Sequence, residues 1–369
     1  MSQHHHDFWY VTPDEVESIA LGAGILGTGG GGNPYLGKIR LWEVMRQGGQ
    51  PKIISPEQVP DDARISTVGS MGAPTVGIER LSQGEEMLGA VKMLEQHLGA
   101  PIPYVISGEI GGSNSLSALL VSAQSGRIAV DGDGMGRAFP ELQMNTFVIN
   151  GIPVAPLAVC DVRGQSTVVS HVLDARWAER FARAVTVQMG GSSGLAARSM
   201  TGAEMKRAAV WDTLTLAKRL GEVVRQARVR RDDPALAAVG MMNGQILFRG
   251  KIVDVTRRTT AGFARGNIRL RANSGSDELE IDIQNENLIA RRDGQVIAIV
   301  PDLITLVTED DGEPVGTEVL RYGLRVAVLG MPCTPQLRSE TALHFVGPRA
   351  FGYDIDYTPM AGNWPGRVN

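Results

Sequence analysis

The densest chemistry in the chain lies in an eleven-residue run: Asp131, Gly132, Asp133, Gly134, Met135, Gly136, Arg137, Ala138, Phe139, Pro140 and Glu141. Two carboxylates stand two positions apart among glycines, which leave the backbone free to turn both acids toward one ion or one proton. Such a pair has two chemical uses. It can ligate a divalent cation, or it can act as a general acid–base pair whose mutual repulsion raises one pKa. The run is not a calcium-binding EF-hand, because the fifth position, where that loop carries another ligand, is Met135. A structural role competes, since Asp-rich turns also hold strand–helix junctions.

A second acid, Glu109, sits in the run Ser107, Gly108, Glu109, Ile110, Gly111, Gly112, Ser113, Asn114. Set among glycines, its carboxylate is available for a proton, a metal or a substrate N–H. Asn114 either presents its amide to a ligand or caps the helix that follows. A third run, Gly27, Thr28, Gly29, Gly30, Gly31, Gly32, Asn33, Pro34, contains G-x-G-x-x-G from Gly27 to Gly32, and another copy spans Gly22 to Gly27. A dinucleotide fingerprint needs a strand before the glycines. Here a helix precedes them, so neither nicotinamide nor flavin is expected. Two readings remain for Gly29, Gly30, Gly31 and Gly32: backbone N–H groups that cradle an anionic or carbonyl oxygen, or a plain flexible loop.

The elements that must position these runs follow from patterning. Thr12, Pro13 and Glu15 form a helix start with a capping box. A second helix is expected over 36–46. Short apolar runs at 52–54, 65–68, 104–107, 128–130, 147–149 and 154–160 read as strands, with helical patterns at 84–98, 115–125 and around 139–143. Strand alternating with helix predicts a mostly parallel sheet covered by helices. The glycine-bearing acids then fall at carboxyl ends of strands, where open α/β sheets bind ligands.

Beyond about residue 172 the texture changes. Two helices are expected, over 175–188 and 202–228, and then a strand-rich stretch from 245 onward, with Asp293-Gly294 as a hairpin turn. The reading is a two-domain α/β protein. An N-terminal, mostly parallel α/β domain over 8–172 carries the candidate site, and a β-rich C-terminal domain over 173–369 opens with two helices.

Composition excludes several function classes. The 369 residues carry a net charge of −4 and only 5% aromatics, which leaves neither a basic field nor a stacking platform for nucleic acid. No apolar stretch approaches the roughly 20 residues of a membrane helix. The N-terminus lacks signal-peptide features, and Cys160 and Cys333 form no C-x-x-C pair. A cytoplasmic protein handling a small molecule is expected, without nucleic-acid or membrane partners and as a homo-oligomer. No Gly-x-Ser-x-Gly elbow and no phosphate-loop lysine are present. His171, near Asp161, is either a structural histidine or the completing ligand of a carboxylate-rich metal site.

The runs at 27–34, 108–114 and 131–141 together resemble the bacterial S-methyl thiohydantoin desulfurase family, which is associated with hydantoinases and oxoprolinases. The stretch 250–259, Asn285-Glu286-Asn287-Leu288 and Leu320-Arg321-Tyr322-Gly323 resemble that family's C-terminal half. The resemblance spans about 10–360. It implies an enzyme that hydrolyses sulfur from C2 of a five-membered imidazolidinone ring to leave a hydantoin, and a hydantoinase-like protein as a partner. It assigns no catalytic residues.

The residues read above fit that chemistry as follows. Glu109, Asp131 or Asp133 positions and deprotonates water. The N–H groups of Gly29, Gly30, Gly31 and Gly32, with Asn114, receive the developing negative charge. Asp131, Asp133 and His171 hold a divalent metal, zinc or similar. Arg137 pairs with a substrate carboxylate and Glu141 orients it. Two rivals stand beside this enzyme: a non-catalytic ligand-binding or regulatory partner of a hydantoinase-like protein, and a nucleotide-dependent enzyme that uses the glycine loop.

Overall fold

The computed structural model describes residues 8–72, 74–80, 82–260 and 263–367. The chain begins with β1 (Trp9–Tyr10) and α1 (Pro13–Leu26). Thr12 and Glu15 cap α1 reciprocally, with Thr12 N donating to Glu15 Oε2 at 2.8 Å and Glu15 N to Thr12 Oγ1 at 3.3 Å. Next come α2 (Pro34–Arg46), β2 (Lys52–Ile54), β3 (Arg64–Gly72), α3 (Pro74–Glu79), α4 (Glu86–Leu98), β4 (Tyr104–Ser107) and α5 (Ser117–Ser125). They are followed by β5 (Ile128–Val130), β6 (Gly132–Asp133), α6 (Thr146–Ile149), β7 (Leu157–Cys160) and β8 (Ser166–Val169).

After residue 172 come α7 (Ala175–Gln188), β9 (Ser192–Thr201), α8 (Gly202–Ala208), β10 (Val210–Trp211), α9 (Thr213–Arg230) and α10 (Pro234–Met241). The remainder is β11 (Gln245–Thr260), β12 (Phe263–Ala272), β13 (Glu278–Gln284), β14 (Glu286–Arg292), β15 (Gln295–Ile299), β16 (Leu303–Thr308), β17 (Arg325–Met331) and α11 (Glu340–Val346).

The first sheet runs β1-β2-β5-β4-β3-β9-β7-β8. The strands β2, β5, β4 and β3 are mutually parallel, and β9, β7 and β8 extend the sheet antiparallel. The second sheet, β15-β14-β13-β12-β11-β17-β16, is antiparallel throughout. The fold is therefore the expected two-domain α/β architecture: a mixed, mostly parallel sheet with helices, then a β-rich part after helices. Asp293 and Gly294 both take positive φ, 51° and 77°, as the β14–β15 hairpin turn requires.

The change of texture near residue 172 and the change of sheet fall at different places. Strand β9, although it follows that point, is inserted between β3 and β7 of the first sheet. Helix α9 packs along α1 through glycines on both sides. A Cβ on Gly22 would lie 1.9 Å from the Ala217 carbonyl oxygen, and one on Gly221 would lie 1.9 Å from that of Ser18. So Gly22 and Gly24 lie inside α1, and the copy of G-x-G-x-x-G that begins at Gly22 serves helix packing.

Three local expectations are corrected. The helix expected over 202–228 is interrupted, because Val210 and Trp211 pair with Asp133 and Gly132. Asp212 then turns through φ 56° before α9 begins. No glycine or proline marks that break; tertiary pairing overrides a helical pattern. The expected helix around 139–143 is irregular backbone, and the strand expected at 147–149 is the short helix α6, capped by Asn145 Oδ1 accepting from Val148 N at 3.0 Å. Apolar runs this short carry no period that separates helix from strand.

Candidate active site

The ends of the parallel strands open onto a cavity of about 200 Å³. The last part of β3, the segment after β4, part of the glycine loop, the 135–145 segment, α7, β9 and the pair Asn285–Glu286 line it. Chain from both halves therefore forms one pocket of small-molecule size.

Glu109 leaves the end of β4 into this cavity and is 8% exposed. Its Oε1 accepts from Asn114 Nδ2 at 2.6 Å and its Oε2 from Phe139 N at 3.2 Å. Asn114 is fixed in turn by Ser70, whose N and Oγ donate to Asn114 Oδ1 at 2.8 and 2.7 Å. Burial raises the Glu109 carboxyl to about 7, outweighing the two hydrogen bonds that favour its charged form. A carboxyl that titrates near neutrality can both take and give a proton.

Glu286, from β14, stands beside it and is 2% exposed. A Cβ on Gly30 would lie 2.0 Å from Glu286 Oε1, so the glycine makes room for this acid. Among the described residues, Glu286 Oε2 has no hydrogen-bond partner. Burial first, and then the charge of Glu109, push the Glu286 carboxyl well above its ordinary range. The residue expected to be a donor cradle is in part the space that lets an acid enter.

The other residues singled out from sequence divide clearly. Gly31 and Gly32 line the cavity, with Gly31 locked against the second glycine run: its Cβ would lie 2.3 Å from Gly111 backbone. The carbonyl oxygens of Gly31 and Gly32 accept from Asn114 N and Ser113 N, each at 3.1 Å. Gly29 and Gly30 lie behind the wall, and Gly29 O accepts from Thr317 N at 2.8 Å.

Asp131 faces away from the cavity and caps α9, accepting from Leu214 N at 2.9 Å, Thr215 N at 3.2 Å and the Thr215 hydroxyl. Asp133 accepts from Ile110 N at 2.9 Å, Met135 N at 2.8 Å and Gly136 N at 2.9 Å, and so ties two loops together. Burial raises these two carboxyls to about 6 and about 7, against the N–H groups that hold the charged form. The Asp-rich turn reading describes this geometry better than a convergent pair.

Arg137 is fully buried and does not line the cavity among the described residues. Its Nη1 donates to the carbonyls of Pro301 at 3.0 Å and Asp302 at 2.8 Å, and its Nη2 to Thr28 Oγ1 at 2.8 Å. It clamps the two halves rather than meeting a ligand. Glu141 lines the cavity, but its carboxylate accepts from Gln143 Nε2 at 2.6 Å instead of orienting Arg137. His171 is exposed, whereas Asp131 and Asp133 are buried. These three are not gathered, and among the described residues no group of three or more His, Cys, Asp or Glu side chains is placed to hold a metal.

Glu286 and Arg198 went unassigned in the sequence reading. Glu286 belongs to a run that carried resemblance without a chemical role. Arg198 follows the apolar run Leu195, Ala196, Ala197 in β9, a stretch that the sequence reading left without an element between its two helices.

No helix among the described residues is long and apolar enough to cross a membrane. Two family models match the chain, the S-Me-THD-like N-terminal domain over residues 14–171 and the S-Me-THD-like C-terminal domain over 173–360. The chain is similar to a crystal structure of a protein from Chromobacterium violaceum, a structural genomics target. The two share 24% identity and a TM-score of 0.80 over 95% of this chain and 99% of that one. At that identity the likeness speaks for the fold alone. No match to a curated protein was found.

Proposed function

The chain belongs to the S-Me-THD-like family, and we propose that it is a hydrolase that removes the sulfur substituent from C2 of a thiohydantoin-type ring. The observation that carries this reading is the acid pair in a small cavity: Glu109 held near neutrality, and Glu286 with an oxygen that finds no hydrogen-bond partner among the described residues.

Hydrolysis at C2 needs a base for the attacking water and an acid for the departing sulfur. Glu109, ionised, takes the first proton of a water that attacks C2, and the C2–O bond forms. The C2=N double bond of an S-alkylated ring becomes single, and Glu109 passes that proton to the ring nitrogen. The C2–S bond then breaks. Glu286, kept protonated by burial and by its neighbour's charge, gives its proton to the departing thiolate. The remaining hydroxyl proton returns to Glu286 as the C2 carbonyl forms. Water's two protons end on ring nitrogen and thiol, and a hydantoin remains. Asn114 keeps Glu109 in place, and Ser70 keeps Asn114 in place.

The test is thiol or sulfide release from S-methylated and free thiohydantoins. The wild-type protein is expected to turn over, and Glu109→Gln to lose roughly 10²- to 10⁴-fold in kcat while still binding the ring. Ring binding without any sulfur release would instead identify a ligand-binding protein.

A further inference from the structure

Arg198 is a buried cation without a counter-ion. It is 3% exposed, and among the described residues no carboxylate forms an ion pair with it. Its Nη1 donates to Thr67 Oγ1 and its Nη2 to Asn145 Oδ1, each at 3.1 Å, while its Nε finds no acceptor among the described residues. Its guanidinium lies 5.2 Å from the Phe147 ring centroid. Burial alone pushes its pKa down, to about 9, so the group stays charged at neutral pH. A charge removed from water with only neutral partners is costly unless something compensates it.

The backbone carries a second cost at the same residue. Pairing of β3 with β9 slips between Ile65↔Met200 and Thr67↔Ala197, which leaves a bulge that contains Arg198. Arg198 takes φ 71°, a conformation unfavourable for any side chain but glycine. Its N–H donates to the carbonyls of Val154 at 3.1 Å and Pro156 at 3.0 Å, which hold the bulge. Bulges re-aim side chains, and this one places a long cation in the cavity wall. Strain and burial that converge on one residue at a ligand cavity point to a binding duty.

We infer that Arg198 is the receptor for a carboxylate carried by the ligand, and that the natural substrate is therefore an acid whose ring lies toward Glu109 and whose carboxylate lies on Arg198. The inference rests on the proposed ring hydrolysis for the identity of the ring, but not for the acid group. An unpaired Nε beside a partly used Nη offers the side-on fork that a carboxylate matches with two hydrogen bonds. The neighbouring acids do not fill that place. Glu179 is paired with Arg183, and Glu109 and Glu286 are drawn toward their neutral forms.

The experiment compares binding of hydantoin-5-acetic acid and its carboxamide by calorimetry, on the full chain, for wild type, Arg198→Gly and Arg198→Lys. Glycine suits the positive φ, so the first variant removes the guanidinium while relieving the backbone; lysine keeps a charge but not the fork. Wild type is expected to prefer the acid by roughly 10- to 100-fold. Arg198→Gly should erase that preference, millimolar guanidinium should restore part of it, and Arg198→Lys should fall between. A wild type that binds acid and amide alike overturns the assignment, and so does a preference that survives in either folded variant at full strength. If the acid binds through Arg198 but no thiohydantoin is desulfurised, the hydrolase reading fails and this one stands. Equal desulfurisation of acid and amide substrates does the reverse.

Discussion

At the scale of residues, the cavity separates acids with spare hydrogen-bonding capacity from acids that hold loops. Asp133 satisfies backbone N–H groups of Ile110, Met135 and Gly136, whereas Glu286 leaves an oxygen free. A buried carboxylate surrounded by N–H donors is structural; one with spare valence at a cavity wall is available to a guest. Glu109 should carry a measurable stability cost. Burial lifts its carboxyl from 4.5 to about 7, so the folded state binds this proton more tightly than the unfolded chain does. The stability contributed by that proton is complete below about pH 4.5 and is lost as pH rises through about 7. Glu109→Gln should therefore melt higher than wild type above about pH 8, by up to about 3 kcal/mol in stability, with little difference near about pH 4.5. Melting curves across that range decide it; a gap that does not widen with pH would count against a buried, proton-hungry Glu109.

At the scale of elements, close approach explains glycines that sequence alone offers to ligands. Helices α1 and α9 touch backbone to backbone at Gly22 and Gly221. Gly221→Ala must push a methyl into the Ser18 carbonyl, and overpacking of this kind costs about 1 to 3 kcal/mol. Even though alanine is the better helix former, chemical denaturation of that variant should show a lower midpoint with an unchanged slope. An equal or higher midpoint would mean that the two helices have slack between them. Asp131 extends the same logic, because an acid from the β5 end supplies the cap that α9 lacks from its own Asp212.

At the scale of the whole molecule, the two parts are stitched together rather than tethered. Strand β9 completes the first sheet, α9 packs on α1, and the Arg137 guanidinium bonds to the carbonyls of Pro301 and Asp302. The cavity itself needs Glu109 from one half and Glu286 from the other. Calorimetry should accordingly give a single unfolding transition. Two well-separated transitions would show that the halves fold independently and that the shared cavity is an incidental contact.

The sequence by itself determined the architecture and the strand end at which the cavity opens. Alternation of strands and helices gave the parallel sheet, the Thr12–Glu15 box gave the start of α1, and glycine-flanked Glu109 at the end of β4 lies in the cavity, as strand-end chemistry predicts. These features depend on residues near one another in the chain. Only the tertiary structure decided which acids face the cavity. Glu286 reaches Glu109 across almost half the chain, Asp131 and Asp133 turn to backbone donors, and Arg198 is aimed by a bulge set by its pairing with β3. Side-chain duty depends on partners brought together by folding, and residue type and spacing do not encode who those partners are.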